Sequence, residues 1–402
     1  PILVAHSESW DMVEVLLVVG LLVAVFVGFN IGGSTTGPAF GPAVGAKAIS
    51  KPMAALLMTV FFFVGAWTIG REVVDTLGNS LITNPGVFTL ETSIGVLFFI
   101  GLALFVGNVF GVPASTSMTA VGAIAGLGVA TGSLSWSVMG EIATWWIVAP
   151  VIGFWVSLII GRYFYARINR LVAMDRSEGP LLDVDRSGVI PSFSVHETTT
   201  RREFAGVVTV VVIGCLMAFS SGTSNIANAI APLYGAGVDL NLLILLGCGA
   251  VTIGAVTIAR RTLDTLGNDI TDLPLTAAIV VAVISSGIVI GLSAIGIPAS
   301  FVIIATMSIV GLGWGRATRS TTVSEGVRGE KTPNVSVGAL TAEEPGEEAP
   351  GIGEEDPAET PSAAELFNPE TTGRVVVMQN VVPLLSTVGA YLTFRLLFAF
   401  VW

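Results

Sequence analysis

Apolar runs long enough to cross hydrocarbon as single helices follow one another along the chain, separated by short polar stretches. They fall at roughly residues 12–29, 52–70, 92–110, 138–161, 204–221, 240–259, 274–295 and 375–402, giving eight predicted spans. Between them lie four stretches crowded with Gly, Ser, Thr, Asn and Pro, at residues 34–50, 112–130, 223–238 and 297–315. The segment SSGTSNIANAIAPLYG, from Ser220 to Gly235, runs into one of them. Lipid offers hydrogen-bonding groups no partner, so irregular backbone persists at membrane depth only where protein buries it or a wet cavity meets it. The pattern therefore predicts broken or re-entrant helices, two in each half of the chain.

The chain also repeats itself. REVVDTLGN from Arg71 returns as RRTLDTLGN from Arg260, and GVPAS from Gly111 returns as GIPAS from Gly296. Each GxPAS is followed at one spacing by Gly-Leu-Gly, at Gly126–Gly128 and Gly311–Gly313, and AFGP ending at Pro42 pairs with AIAP ending at Pro232. The predicted halves are residues 1–170 and 203–402, joined by a cytoplasmic linker at 171–202. Duplication on this scale marks secondary transporters. Orientation follows from the basic residues of the connections. Arg162, Arg167, Arg170, Arg176, Arg186, Arg201 and Arg202 place the linker in the cytoplasm, and Arg316, Arg319, Arg328 and Lys331 place the second long connection there too. The equivalent of that second connection in the first half is the uncharged loop near Thr131, so equivalent loops lie on opposite faces. The expected fold is an all-α polytopic membrane protein built as an inverted-topology repeat with broken or re-entrant helices in each half. Both termini then face outward, in a multi-pass protein of the cell membrane.

Composition agrees: 52% of residues are hydrophobic, 12% are charged, and the mean hydropathy is +0.83. The net charge of -11 is concentrated in residues 317–372, where Glu343, Glu344, Glu347, Glu348, Glu354, Glu355 and Asp356 lie among Pro, Gly, Ser and Thr. This reads as a disordered acidic cytoplasmic loop interrupting the second half. The first ten residues, PILVAHSESW, lack a basic stretch, so the first span is expected to stay. Cys215 and Cys248 fall in separate spans and His6 and His196 are far apart, so no disulfide framework or metal cluster is expected. HExxH, GxSxG and P-loop patterns are all missing, which argues against an enzyme and against a cofactor. The expected partners are the lipid bilayer and a small solute, with no nucleic acid; small-residue motifs such as Gly41–Gly45 are compatible with a homodimer. Asp75 and Asp264 follow Arg71 and Arg260 by four residues, a spacing that predicts helical ion pairs, while Trp145, Trp146 and Trp402 suit interfacial anchoring.

The four polar stretches carry the candidate chemistry. A half-helix beginning inside the membrane aims unpaired N–H groups and the positive end of its dipole into the interior, which attracts anions. Thr223, Ser224 and Asn225 precede one apolar run, and Ser34, Thr35 and Thr36 hold the matching place in the first half. Pro113 and Pro298 fit first turns of helices, with Ser115, Thr116, Ser117 and Ser300 just behind them. Lys47 is the sole Lys or Arg in these stretches. Neutral donors would hold an oxyanion loosely enough to release it, as transport requires.

These segments resemble the inorganic phosphate transporter family along nearly the whole chain outside the two polar connections. GTSNIANAIAPL from Gly222 and GGSTTGPAFGPAVG from Gly32 are similar to a family signature of the type GANDVANAFGTSVG. PASTSMTAVGAIAG from Pro113, and more distantly PASFVIIATMSIVG from Pro298, resemble the family's PVSTTHAIVGAIIG, and LSWSVMGEIATWWIVAP from Leu134 resembles the family's segment after that element. The resemblance implies sodium-coupled import of inorganic phosphate by alternating access, around a central site formed by these helices. By position, Ser34 and Ser224 stand for the signature's first Asn, Thr35 and Asn225 for its Asp, and Pro38 and Asn228 for its second Asn. The implied sodium ligands are thus Ser34, Thr35, Ser224, Asn225 and Asn228. The implied anion ligands are Ser115, Thr116, Ser117, Ser300, Thr223, Ser224, Asn225, Asn228, Ser34, Thr35 and Thr36. Met118 replaces the family's His, and Phe301 and Val302 replace threonines. With both aspartates missing, the alternatives are a permease for sulfate or another oxyanion with proton coupling, or a non-transporting anion receptor on the same fold.

Overall fold

The computed structural model describes residues 2–45, 49–109, 115–172, 182–185, 192–195, 201–257, 275–317 and 369–400. Its first half comprises α1 (Ile2–Gly45), α2 (Lys51–Trp67), α3 (Gly70–Asp75), α4 (Leu90–Val109), α5 (Thr116–Thr131), α6 (Trp136–Ile159) and α7 (Tyr165–Val172). The second comprises α8 (Arg201–Gly235), α9 (Leu240–Thr257), α10 (Leu275–Ala294), α11 (Phe301–Ala317) and α12 (Pro369–Phe400). In the linker, β1 (Leu182–Asp185) pairs antiparallel with β2 (Ser192–Val195), a small hairpin that the helical patterning gave no reason to expect. Most of the acidic loop, and the second DTLGN motif with Arg260 and Asp264, lie outside the described residues.

Helix ends follow local chemistry. Ser50 and Pro52 open α2, the Ser115 side chain caps α5, and α5 stops at Gly132, whose φ of 69° lets its N–H reach back to the carbonyls of Gly128 and Val129. Leu22, Leu56, Ile147, Trp155 and Leu396 all stand more than half exposed. Such outward apolar faces suit a hydrocarbon solvent, which costs them nothing.

Side-by-side neighbours give the direction of each helix. Gly20 of α1 lies against Ile94 of α4, Phe26 against Gly101, and Asn30 against Asn108, so α1 and α4 run the same way. The chain then returns along α5, because Leu134 just past its end bridges to Ile82 just ahead of α4. Helices α4 and α5 thus form a hairpin whose two ends share one face. In the second half α10 starts where Thr276 bonds Asn169 of α7 and follows α8 until Ser293 meets Thr223. Helix α11 returns until Gly315 packs against the carbonyl of Leu158, near the end of α6. Helix α6 starts where the first hairpin opens and finishes where the second opens. The two hairpins therefore enter from opposite faces, which is the inverted-topology repeat seen in packing. The start of α1 and the end of α12 lie on the first hairpin's face, and α7 and α11, which lead into the polar connections, end on the other.

Two expectations change. The apolar runs at 92–110 and 274–295 are long enough to cross, but each is the descending arm of a hairpin whose return is the short helix α5 or α11. Residues 34–45 and 223–235 do not break: α1 and α8 run through them, to Gly45 and Gly235. Four of the hydroxyls there find partners within their own helix, Ser34 and Thr35 donating to Ile31 O, Thr36 to Gly32 O and Thr223 to Ser220 O. Glycines just before these stretches, and their partners on the facing helices, serve close packing. A methyl group on Gly32 would overlap the Val251 carbonyl oxygen of α9, and one on Gly254 would overlap that of Phe29 in α1. Gly222 and Gly65 are placed alike against the carbonyls of Phe62 and Phe219, at the crossing of α8 with α2.

Candidate functional site

The hairpin tips meet against the middle of α8. On the first hairpin the backbone turns into α5 at Ser115, which is 1% exposed and accepts the Met118 N–H at 3.2 Å. On the second, residues 295–300 form the tip, and Ser300 Oγ accepts the Ile303 N–H at 3.4 Å. Helix α11 begins after this serine, so Pro298 precedes the helix rather than sitting in its first turn. Pro113 lies outside the described residues. Trp146 is no interfacial anchor: its Nε1–H donates to Pro298 O at 2.9 Å and pins the second tip to α6.

Two polar clusters join the tips to α8. In one, Ser117 Oγ and Ser224 Oγ each donate to Ala299 O at 2.9 Å and lie 3.3 Å apart, so one carbonyl of the second tip ties together α5 and α8. In the other, Thr116 Oγ1 donates to Asn225 Oδ1 at 2.7 Å, and Asn228 Nδ2 donates to the same oxygen at 3.3 Å. Asn225 Nδ2 donates in turn to Ser221 Oγ at 3.0 Å. Asn228 Oδ1 is fully buried without a hydrogen-bond partner among the described residues. Thr223 Oγ1, 3.2 Å from Ser293 Oγ, links α8 to the descending arm of the second hairpin. All of these side chains are neutral. The charges of the DTLGN motif lie elsewhere, and the expected ion pair is replaced: Arg71 donates to Asn241 Oδ1 at 2.6 Å and to Trp67 O, while Asp75 accepts from Asn79.

The structure thus brings Ser115, Thr116, Ser117, Thr223, Ser224, Asn225, Asn228 and Ser300 to the region where the tips meet. Ser34, Thr35 and Thr36 sit in mid-helix on α1, bonded to their own turn, and among the described residues no hydrogen bond links them to either cluster. Sequence reading missed Asn30 and Asn108, whose side chains meet at 3.0 Å and hold the end of α4 to α1. It also missed Ser221, Ser293 and the Trp146 contact. Lone amides in apolar runs, FVGFNIGG and LFVGNVFG, were the available signal. A small apolar cleft lined by Met118, Trp145, Trp146, Leu292, Ala299 and Ser300 adjoins the tips.

Opposed re-entrant hairpins that meet on helices of an inverted repeat define a membrane transporter, not an enzyme. A family model described as the phosphate transporter family matches residues 31–338, and the chain belongs to that family. It is 30% identical over 267 residues to the "Sulfate permease CysP" of Bacillus subtilis, covering 66% of this chain and 68% of the relative. It is 25% identical over 339 residues to a "Putative phosphate permease" of Thermococcus kodakarensis, covering 68% and 82%. The fold also matches a solved structure named "The sodium-dependent phosphate transporter", with a TM-score of 0.66 at 15% identity over 96% of this chain and all of that one.

Proposed function

We propose that this protein is a secondary active permease that imports inorganic phosphate across the cell membrane in symport with sodium. The observation carrying this reading is the pair of opposed hairpin tips tied through Ala299 O. Parting one tip from α8 would expose the site to one face, and parting the other would expose it to the opposite face. Ser115, Thr116, Ser117 and Ser300 stand at the starts of α5 and α11, where free N–H groups favour an anion. Ser224, Thr223, Asn225 and Asn228 supply the facing donors. The buried Asn228 Oδ1, with Asn225 Oδ1 and Ala299 O, suits a hard cation that prefers neutral oxygen ligands. Ser34, Thr35 and Thr36 would join only through a shift of α1. The basic connections orient the second hairpin's face toward the cytoplasm and the termini outward.

A second reading, sulfate as the solute, is favoured by the lack of a carboxylate among these residues. Hydrogenphosphate carries a proton that needs an acceptor, for which this site offers amide and carbonyl oxygens but no carboxylate, whereas sulfate needs donors alone. The relative named a sulfate permease supports this reading as well. Uptake of radiolabelled phosphate into proteoliposomes, with and without an inward sodium gradient and with sulfate as competitor, tests both. Sodium-dependent phosphate uptake that resists sulfate supports the first. Displacement by sulfate, or indifference to sodium, moves the assignment to the second, and binding without flux overturns both.

A further inference from the structure

Ser157 on α6, Ser285 and Ser286 on α10 and Ser308 on α11 are all 0% exposed, and none of their Oγ atoms has a hydrogen-bond partner among the described residues. They lie in one layer. Ser285 and Ser286 precede Ser293 at the second tip by seven or eight residues, and Ser308 follows Ser300 by eight. On antiparallel arms these positions share a level about 12 Å from the tip, toward the face that bears both polar connections. Ser308 Oγ is turned to α6, where it would stand 2.8 Å from a methyl group on Gly153. Ser157 is one turn further along α6.

The repeat supplies an internal control. An offset of 185 residues lays Leu90–Val109 on Leu275–Ala294, and Pro150 pairs with Pro383 because Gly126 meets the Thr387 carbonyl as Gly311 meets that of Phe154. By these offsets Ser308, Ser285, Ser286 and Ser157 correspond to Ala123, Ile100, Gly101 and Ala390. Among the described residues, the first hairpin's interface holds a lone unpartnered hydroxyl, that of Ser386 on α12. Mere closeness of helices does not call for this many hydroxyls, since the equivalent interface has Ala123, Ile100, Gly101 and Ala390 at the matching positions and holds one unpartnered hydroxyl where the second holds four. A buried hydroxyl without a partner lowers stability, and such groups persist where water or a solute meets them in another state.

We propose that the seam between the second hairpin and α6 is the release route, opening to the face of the polar connections as the hairpin swings off α6. Water and the departing oxyanion then meet Ser308 and Ser157, whose helices face each other across this seam; Ser286 stands at the same level on the side of α8, where its carbonyl accepts from Ser220. The proposal rests on the transporter reading but not on which anion is carried. It is tested by Ser308→Cys and Ser157→Cys, against Ala123→Cys and Ala390→Cys as repeat-matched controls, each in a Cys215→Ala/Cys248→Ala background. A membrane-impermeant thiol reagent is added to either side of oriented vesicles, and only variants that elute as the intact protein are scored. From the connection-bearing face, Cys at 308 and 157 should react about tenfold faster than at 123 and 390, since access controls thiol modification. Equal rates at all four positions, or faster reaction from the other face, would overturn the route. Hydrogen exchange on the unmodified chain gives an independent readout: Phe301–Ala317 should exchange faster than Thr116–Thr131, and the reverse order counts against the proposal. If the contrast holds while neither phosphate nor sulfate is taken up, the route stands and the assigned solute falls.

Discussion

At the level of single residues, Asn225 is the busiest group of the site, with one carbonyl oxygen taking donors from both Thr116 and Asn228. Thr116→Val keeps the shape and removes a donor across the tip contact. A hydrogen bond of this kind contributes about 1 kcal/mol, so uptake should fall roughly five- to tenfold, and Thr116→Ser should restore most of it. Equal uptake by all three forms would remove Thr116 from the site. Asn225→Asp puts a carboxylate where the family's signature has one, so apparent sodium affinity should rise by about tenfold, the equivalent of ~1.4 kcal/mol. A flat sodium response in a variant that still transports would place the coupling ion elsewhere. The hydroxyl and amide content of Thr116, Ser117, Ser224 and Asn225 was legible in the sequence, because such groups at membrane depth require partners. The in-helix bonding of Ser34, Thr35 and Thr36 was not, because a helical Ser or Thr can satisfy itself on a carbonyl three or four residues back, which composition does not show.

Among the elements, the glycines decide how the helices cross. A methyl group at Gly32 or Gly222 meets a backbone carbonyl that no rotamer change can move, unlike one at Gly140 or Gly287, where nothing lies within 4 Å. Gly32→Ala and Gly222→Ala should each lower stability by about 1–3 kcal/mol, read as a lower melting midpoint in detergent. Gly140→Ala and Gly287→Ala should be neutral or slightly stabilising, by up to ~1 kcal/mol of helix propensity. Equal midpoints for all four would mean that α1 and α8 are not packed this tightly. The same glycines explain why the sequence misled about breaks. A Gly/Ser-rich stretch signals both irregular backbone and close helix approach, and only the partner helix, distant in sequence, tells which. The hairpins were half legible. Ser115 and the paired PAS motifs marked where α5 and α11 begin, but a descending arm of 20 residues reads like a full crossing.

For the molecule as a whole, neither half closes on itself. Helix α5 of the first half packs along α12 of the second through Gly122 and Gly126, and α11 of the second packs along α6 of the first through Gly311 and Gly315. The crossings of α1 with α9 and of α8 with α2 interlock the halves again. Each half alone would leave glycine faces and the site hydroxyls Thr116 and Ser117 without the partners they have in the other half, and in lipid no hydrophobic force would close the gap. The chain link through 171–202 contributes little beside these contacts, since it serves to raise the local concentration of one half about the other. Two polypeptides, residues 1–200 and 201–402, expressed together should therefore co-purify as one complex and retain uptake. Either expressed alone should be degraded or aggregate. Stable, separately purified halves would show that the interlocked packing is not what holds the transporter together. Co-purification without uptake would show that the linker constrains the hairpins' movement as well as joining the repeats.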